Sequence, residues 1–238
     1  MITLDLSQLA LSLVPAILTL FLLLRWSMSV REAIYALLRM LLQLLVAGYA
    51  LAWIFGAGSG ALILLVLAAM VTASAWISLR TVPEHRRRLL LCAFGGVLVG
   101  GGLTLLFVTQ VVLRLEPWYL PNYMIPLAGM ALANAMTSIS LAAERFFSEL
   151  SHGVSWEAAR IKAFETAMIP VINSLFAVGL VSLPGMMTGQ ILSGISPLIA
   201  ARYQIMVMCM LFASSGLATA VFLSLSKRAL ADHSRPGS

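Results

Sequence analysis

The chain has 238 residues, 61% of them hydrophobic and only 10% charged, against roughly 25% charged in an average soluble domain. Together with a mean hydropathy of +0.99, this excludes a water-soluble globule, a disordered chain and a disulfide scaffold, and leaves an integral membrane protein of one domain, residues 1–238. The formal charge of +6 does not signal nucleic acid, because the basic residues sit between apolar runs.

Sustained apolar runs predict seven membrane-spanning helices: Ser7 to Leu24, Arg39 to Phe55, Ala61 to Leu79, Leu89 to Leu113, Met124 to Ala143, Thr166 to Leu192 and Tyr203 to Leu225. The first has no basic residue before it and Arg25 and Trp26 after it, so it reads as a retained helix rather than a signal peptide. Runs this long lack the alternation of a membrane barrel, so the fold class is all-α, a polytopic bundle. Cys92 and Cys209 lie inside the runs, where cysteine packs as a small hydrophobe.

Of the 15 lysines and arginines, all but Arg114 and Arg202 fall on one side of a seven-span arrangement. The positive-inside rule then puts the N-terminus outside and the C-terminus in the cytoplasm, in the cell's inner (plasma) membrane. The Glu84–His85–Arg86–Arg87–Arg88 run also suits anionic headgroups of the bilayer. Trp118 and Tyr119, in a short outer loop, suit an interfacial aromatic belt.

The longest polar connection, Glu144 to Glu165, reads as two short cytoplasmic helices around a turn. The first closes at Gly153; the second restarts with Ser155 as N-cap and Glu157 in its first turn. Bracketed by two spans, this segment is shaped for a partner to hold. Glu149, Ser151, Gly153, Ser155, Glu157 and Arg160 are its candidate coupling residues.

Several chemistries are missing from the sequence. No GxxxxGK[ST] loop precedes either lysine, Lys162 or Lys227, so ATP-driven work needs a separate subunit. His85, His152 and His233 occupy polar connections or the tail without metal-ligand spacing, Asp5 and Asp232 are terminal, and no GxSxG elbow occurs. No catalytic or metal-ligand residue is assigned. Glu32, Glu144 and Glu165 lie at helix edges, so no carboxylate sits deep in a span to couple transport to an ion.

The polar and irregular positions inside the spans are the pathway candidates. Arg39 and Gln43, at i and i+4, admit two readings: a snorkelling arginine with a helix-packing glutamine, or a Gln43 that lines a pathway. In the fifth run Gly129, Met130, Ala133, Asn134 and Thr137 recur at helical spacing; Gly129 and Ala133 suit close packing, and Asn134 needs a partner or water. The sixth run gathers Pro170, Gly179, Pro184, Gly185, Gly189 and Gly194, and Pro184 breaks its hydrogen-bond ladder. Such a break either lines a translocation site, with Met186, Met187 and Gln190 following it, or only shapes helix packing. The 13 methionines, Met206, Met208 and Met210 among them, are gap-fillers or soft-metal ligands.

Four strings carry a resemblance to a known family: RxxxQLLVAGY from Arg39 to Tyr49, IPLAGMALANAM at 125–136, GLVSLPGMMTGQILSG at 179–194 and PLIAARYQIMV at 197–207. With them the chain resembles the permease family of the bacterial Fet-type iron-export ABC subunit and the plant aluminium-tolerance permeases. The resemblance implies a membrane subunit, not itself an enzyme, paired as a homodimer with two ATP-binding subunits that carry ATP and Mg, no cofactor being held by this chain and no nucleic acid being a partner. It also implies export, of iron in the bacterial branch or of a nucleotide sugar in the plant one, and a cytoplasmic coupling segment at 144–165. A stand-alone ion or solute channel or carrier is the alternative from another class.

Overall fold

The structure is a computed structural model that describes residues 5–26 and 30–231. Asp232, His233, Arg235 and the side chain of Arg228 lie outside the described residues. The chain divides into two compact units, Met1–Ala57 and Gly58–Ser238.

The first unit consists of α1 (Leu6–Ser12), α2 (Val14–Arg25) and α3 (Val30–Ala57). Pro15 falls in the first turn of α2, where its missing N–H costs no hydrogen bond. α2 buries none of its residues; its apolar surface is of the kind that lipid solvates.

The second unit begins with α4 (Gly60–Ser78), two 3-10 turns (Leu79–Thr81 and Pro83–His85) and α5 (Arg86–Val97). α5 runs through a π segment (Leu98–Leu103), the short α6 (Thr104–Leu106) and a second π segment (Phe107–Val112). Then follow α7 (Pro121–Ser151), α8 (Trp156–Ala177), α9 (Gly185–Leu192) and α10 (Pro197–Ala231). Among the described residues regular structure is helical, with one isolated bridge between Val178 and Ser182. The chain is thus an all-α polytopic membrane bundle. Among the described residues six stretches are long and apolar enough to cross a membrane: Ser7–Arg25, Val30–Gly56, Gly60–Thr81, Pro83–Val112, Pro121–Ser151 and Pro197–Lys227.

The expected span from Thr166 to Leu192 is not a single helix. α8 starts ten residues earlier, at Trp156, and stops at Ala177, where Gly179 takes φ +83° and a turn satisfies its own backbone through Ser182 N–H to Ala177 O, 3.1 Å. Pro184 is the cap residue of the short α9 rather than a kink within a helix. A residue without an N–H that fixes φ near −65° starts a helix more readily than it continues one.

The polar connection also differs from two free-standing helices. Its first half is the last part of α7, whose 31 residues span about 46 Å, well beyond a hydrocarbon core of roughly 30 Å. Polarity marks where the bilayer ends, not where the helix ends. The turn at Gly153, φ +78°, and the Ser155 N-cap are as expected; the Ser155 hydroxyl accepts from Ala158 N–H at 3.5 Å.

α7 and α10 form the centre of this unit, in contact with each other, with α8, and on their outer sides with α4 and α5. α7 buries Ala128, Ala131, Leu132, Ala135, Ile139 and Ala142 along one stripe. Gly129 faces Met70 of α4, but Ala133 and Thr137 are exposed, so the packed stripe is offset from the one expected. Backbone contact with α10 falls to glycine: a Cβ on Gly100 would lie 2.4 Å from the Ala218 nitrogen, and one on Gly96 2.8 Å from the Ala218 oxygen.

Contacts fix the sidedness of the second unit. Lys227 near the end of α10 reaches Glu157 at the start of α8, 3.4 Å, while Leu175 of α8 and Val178, which caps it, share a cavity with Ala201 and Gln204 of α10. The turns after α4 are tied to α7 by Ser140 Oγ to Ser78 O, 2.6 Å, and Thr81 Oγ1 to Ser140 O, 3.3 Å. Arg80, Arg86, Arg87, Arg88, Arg145, Arg160, Lys162 and Lys227 therefore gather at one end. At the other, Trp118 and Tyr119 lie against Gly60.

Candidate functional site

Two places in the second unit carry chemistry: the basic end, and a break-side cavity at the opposite end of α8.

At the basic end α7 and α8 form a hairpin pinned by Glu149. Its carboxylate receives Arg145 Nη2 at 2.5 Å and Lys162 Nζ at 2.7 Å, and Glu149 itself is 8% exposed. Glu149 thus faces inward, as a tie between two helices. Ser151 Oγ donates to Ser148 O at 2.7 Å, closing the last turn of α7. Glu157 is exposed; its own helix-start N–H, then Lys227, hold its carboxyl below the usual carboxylate range. Arg160 lines a shallow groove with Phe164, Glu165 and Leu223.

Between this hairpin and the 3-10 turns lies a cleft of about 720 Å³ lined by Val82, Pro83, His85, Phe147, Leu150 and Trp156, among others. His85 stacks on Phe147 with centroids 4.0 Å apart, and Phe146 meets Trp156 edge-on at 4.6 Å. The Trp156 indole N–H is buried without an acceptor. Arg86 lies over the Trp76 ring at 3.5 Å and donates to Trp76 O at 2.7 Å, which fixes one basic residue beside the turns. The cleft has an aromatic floor of His85, Phe147 and Trp156 and one carboxylate, Glu84, in its lining, and sequence reasoning did not group the three aromatic side chains. They come from three segments that only the packed hairpin brings together.

At the other end, the break after α8 and the short α9 leave a cavity of about 340 Å³ against α10, lined by Leu175, Val178, Gly179, Met187, Ala201, Gln204, Ile205, Met208 and Cys209. Gln204 is 5% exposed and its Oε1 has no hydrogen-bond partner. An unmet acceptor of this kind costs about 1–3 kcal/mol. Gln190 Oε1, on α9, is likewise buried and unpartnered. A second cavity of about 670 Å³ lies between α10 and the π segments, lined by Thr104, Phe107, Arg202, Met206, Cys209 and Met210 among others. Ile205 and Cys209 line both.

Of the expected pathway residues, this cavity takes Met187; Met130, Asn134, Pro184, Met186 and Gln190 do not line it. Those five are half-buried. Asn134 spends its amide nitrogen on its own helix, donating to Met130 O at 3.1 Å. Gln43 belongs to the first unit, where it is exposed on α3. With its amide oxygen turned toward Arg39, it accepts from Arg39 Nε at 3.1 Å and Nη2 at 3.3 Å. Gln204 was missed in sequence although it is the same kind of signal as Asn134, a lone amide in an apolar run.

The family described as "Uncharacterised protein family (UPF0014)" matches residues 6–231. The chain belongs to the UPF0014 family. It is 32% identical over 213 residues to "Probable iron export permease protein FetB" of Escherichia coli, covering 83% of this chain and 81% of that one. It is 35% identical over 202 residues to "UPF0014 membrane protein STAR2" of rice, covering 77% and 68%. It is 32% identical over 198 residues to "Protein ALUMINUM SENSITIVE 3" of Arabidopsis thaliana, covering 76% and 70%. No solved structure matches this UPF0014 chain. A membrane transport role follows from these relatives together with the bundle, and the resemblance carried by the four sequence strings is thereby shown.

Proposed function

We propose that this chain is the membrane subunit of an ATP-driven ABC exporter of a metal cation, iron being the cargo in the name of the bacterial relative. Two copies work with two ATP-binding subunits, which carry ATP and Mg. The basic end faces the cytoplasm of the inner membrane by the positive-inside rule, and the ATP-binding subunit docks there.

The observation that carries the reading is the aromatic cleft beside the α7–α8 hairpin. A hairpin that transmits a push must not bend. Lys162 of α8 ties to Glu149 of α7 at 2.7 Å, while Arg145 holds the same carboxylate from within α7 at 2.5 Å, and the Ser155 cap starts α8 on good helix formers, Glu157, Ala158 and Ala159. The cleft offers an apolar, aromatic seat, and the arginines gathered at this end of the unit complement an acidic partner surface. The sequence carries no phosphate-binding loop of its own.

The test is purification of the tagged chain from native membranes in mild detergent. A Walker-type ATPase in equal amount, with Mg-ATP hydrolysis lost when Trp156 is changed to Ala, is the expected result. A bare chain that moves metal in proteoliposomes without ATP or partner overturns the reading in favour of a stand-alone carrier.

A further inference from the structure

The break-side cavity has a donor set that the exporter reading does not use, and the inference drawn from it stands without that reading. Ala201, Gln204, Ile205 and Met208 recur at i, i+3, i+4 and i+7, so one stripe of α10 forms a wall, with Cys209 at its edge. Met187 of α9 and the Gly179 turn form the other. The heteroatom side chains of the lining are then two thioethers, one thiol and one amide. Gln204 lines this space, is 5% exposed, and its Oε1 has no hydrogen-bond partner. Among the lining side chains only Gln204 and Cys209 carry an N–H or S–H.

We infer that the cavity lined by Met187, Gln204, Met208 and Cys209 is a binding site for a soft monovalent metal cation of the Cu(I) type. Thioether and thiolate sulfurs select soft ions, whereas magnesium, calcium and manganese prefer oxygen. Among the described residues no cluster of three His, Cys, Asp or Glu could hold a harder metal. Charge decides the valence. When the ion binds, the Cys209 Sγ–H bond breaks, an Sγ–metal bond forms and the proton leaves to water, with no change of oxidation state. One thiolate and one monovalent ion make a neutral complex. A divalent ion in the same place would keep a net positive charge in a low-dielectric site, beside Arg202, which lines the adjoining cavity with Cys209.

The experiment uses the purified full chain, with its ATPase where the two copurify. It is titrated anaerobically with Cu(I) against bicinchoninate, and with Ag(I) as the redox-inert probe. One tightly held ion per chain is expected. Cys209→Ser and Met208→Leu should each weaken it tenfold or more, Gln204→Leu several-fold, and Cys92→Ser, whose thiol lies outside the cavity, not at all. Monodisperse elution of each variant establishes that it is folded. Unchanged affinity in the folded Cys209→Ser/Met208→Leu double variant overturns the site, and Fe(II) or Zn(II) displacing Ag(I) at equal concentration overturns the soft monovalent class. A chain that copurifies with an ATPase and takes up no Cu(I) sinks this inference alone. Cu(I) binding by a chain that has no ATPase supports the site and removes only the exporter reading.

Discussion

Lys162 on α8 and Glu149 on α7 are 2.7 Å apart across the turn at Gly153, and Arg145 holds the second oxygen of the same carboxylate. The bridge joins two helices whose ends project from the bilayer, so it sets the angle of the hairpin rather than any contact within the membrane. Glu149→Gln should lower Tm in detergent modestly and leave the chain able to insert. The double variant Glu149→Gln/Lys162→Met should lose less than the two single changes together, because the first already removes the charge that Lys162 pairs with. Additive losses would show that the pair contributes nothing as a pair.

Gly100 of the π segment packs its backbone directly against Ala218 of α10. A Cβ there would lie 2.4 Å from the Ala218 nitrogen and 2.5 Å from its Cβ, contacts that no rotamer change relieves. Gly100→Ala should therefore cost about 1–3 kcal/mol, the range for an overpacked core, or prevent assembly of the bundle. Gly102→Ala is the control, since its Cβ would meet Leu98 Cδ1 at an ordinary 3.5 Å. Thermal unfolding followed by size exclusion reads both; an equal effect at the two positions would refute the packing account.

These two cases show what was legible in sequence. Local signals were: the Ser155 cap, the φ > 0 glycine at 153 and the apolar runs are written in a few consecutive residues. Gly100 was not, because its partner Ala218 lies far along the chain and only packing brings the two together. The end of α7 was misplaced because polarity from Glu144 onward reports the membrane boundary. Asn134 drew notice as an amide in an apolar run, yet its nitrogen bonds its own helix. Gln204, with the unmet oxygen, looked unremarkable among the residues of PLIAARYQIMV.

Gly153 tests the hairpin turn. Its φ of +78° lies in the left-handed region, and a Cβ there would meet nothing within 4 Å, so the cost of substitution is conformational rather than steric. Gly153→Ala should destabilise by about 1 kcal/mol and Gly153→Asn by less, since asparagine visits this region more readily. Gly153→Pro cannot adopt a positive φ, and should uncouple ATP hydrolysis from transport while the membrane helices stay folded. Normal coupling in an intact Gly153→Pro complex would remove the hairpin from the coupling path.

The last prediction concerns the half-buried residues around the broken helix. Asn134, Met186 and Gln190 lie at positions where a static bundle and a moving pathway make different forecasts. If they only pack helices, water-soluble reagents should not reach them in any state. If α9 moves when the partner hydrolyses ATP, access should change, because its 8 residues are held between the turn at 178–184 and the turn before Pro197 rather than by continuous helix. Gln190 makes this reading concrete: its buried, unpartnered oxygen favours a state in which water or cargo reaches it. Single cysteines at 134, 186 and 190, in a chain whose Cys92 and Cys209 are replaced by serine, should react with a membrane-impermeant thiol reagent at rates that differ several-fold with and without Mg-ATP and partner. Uniform protection at all three positions in both conditions would confine these residues to helix packing.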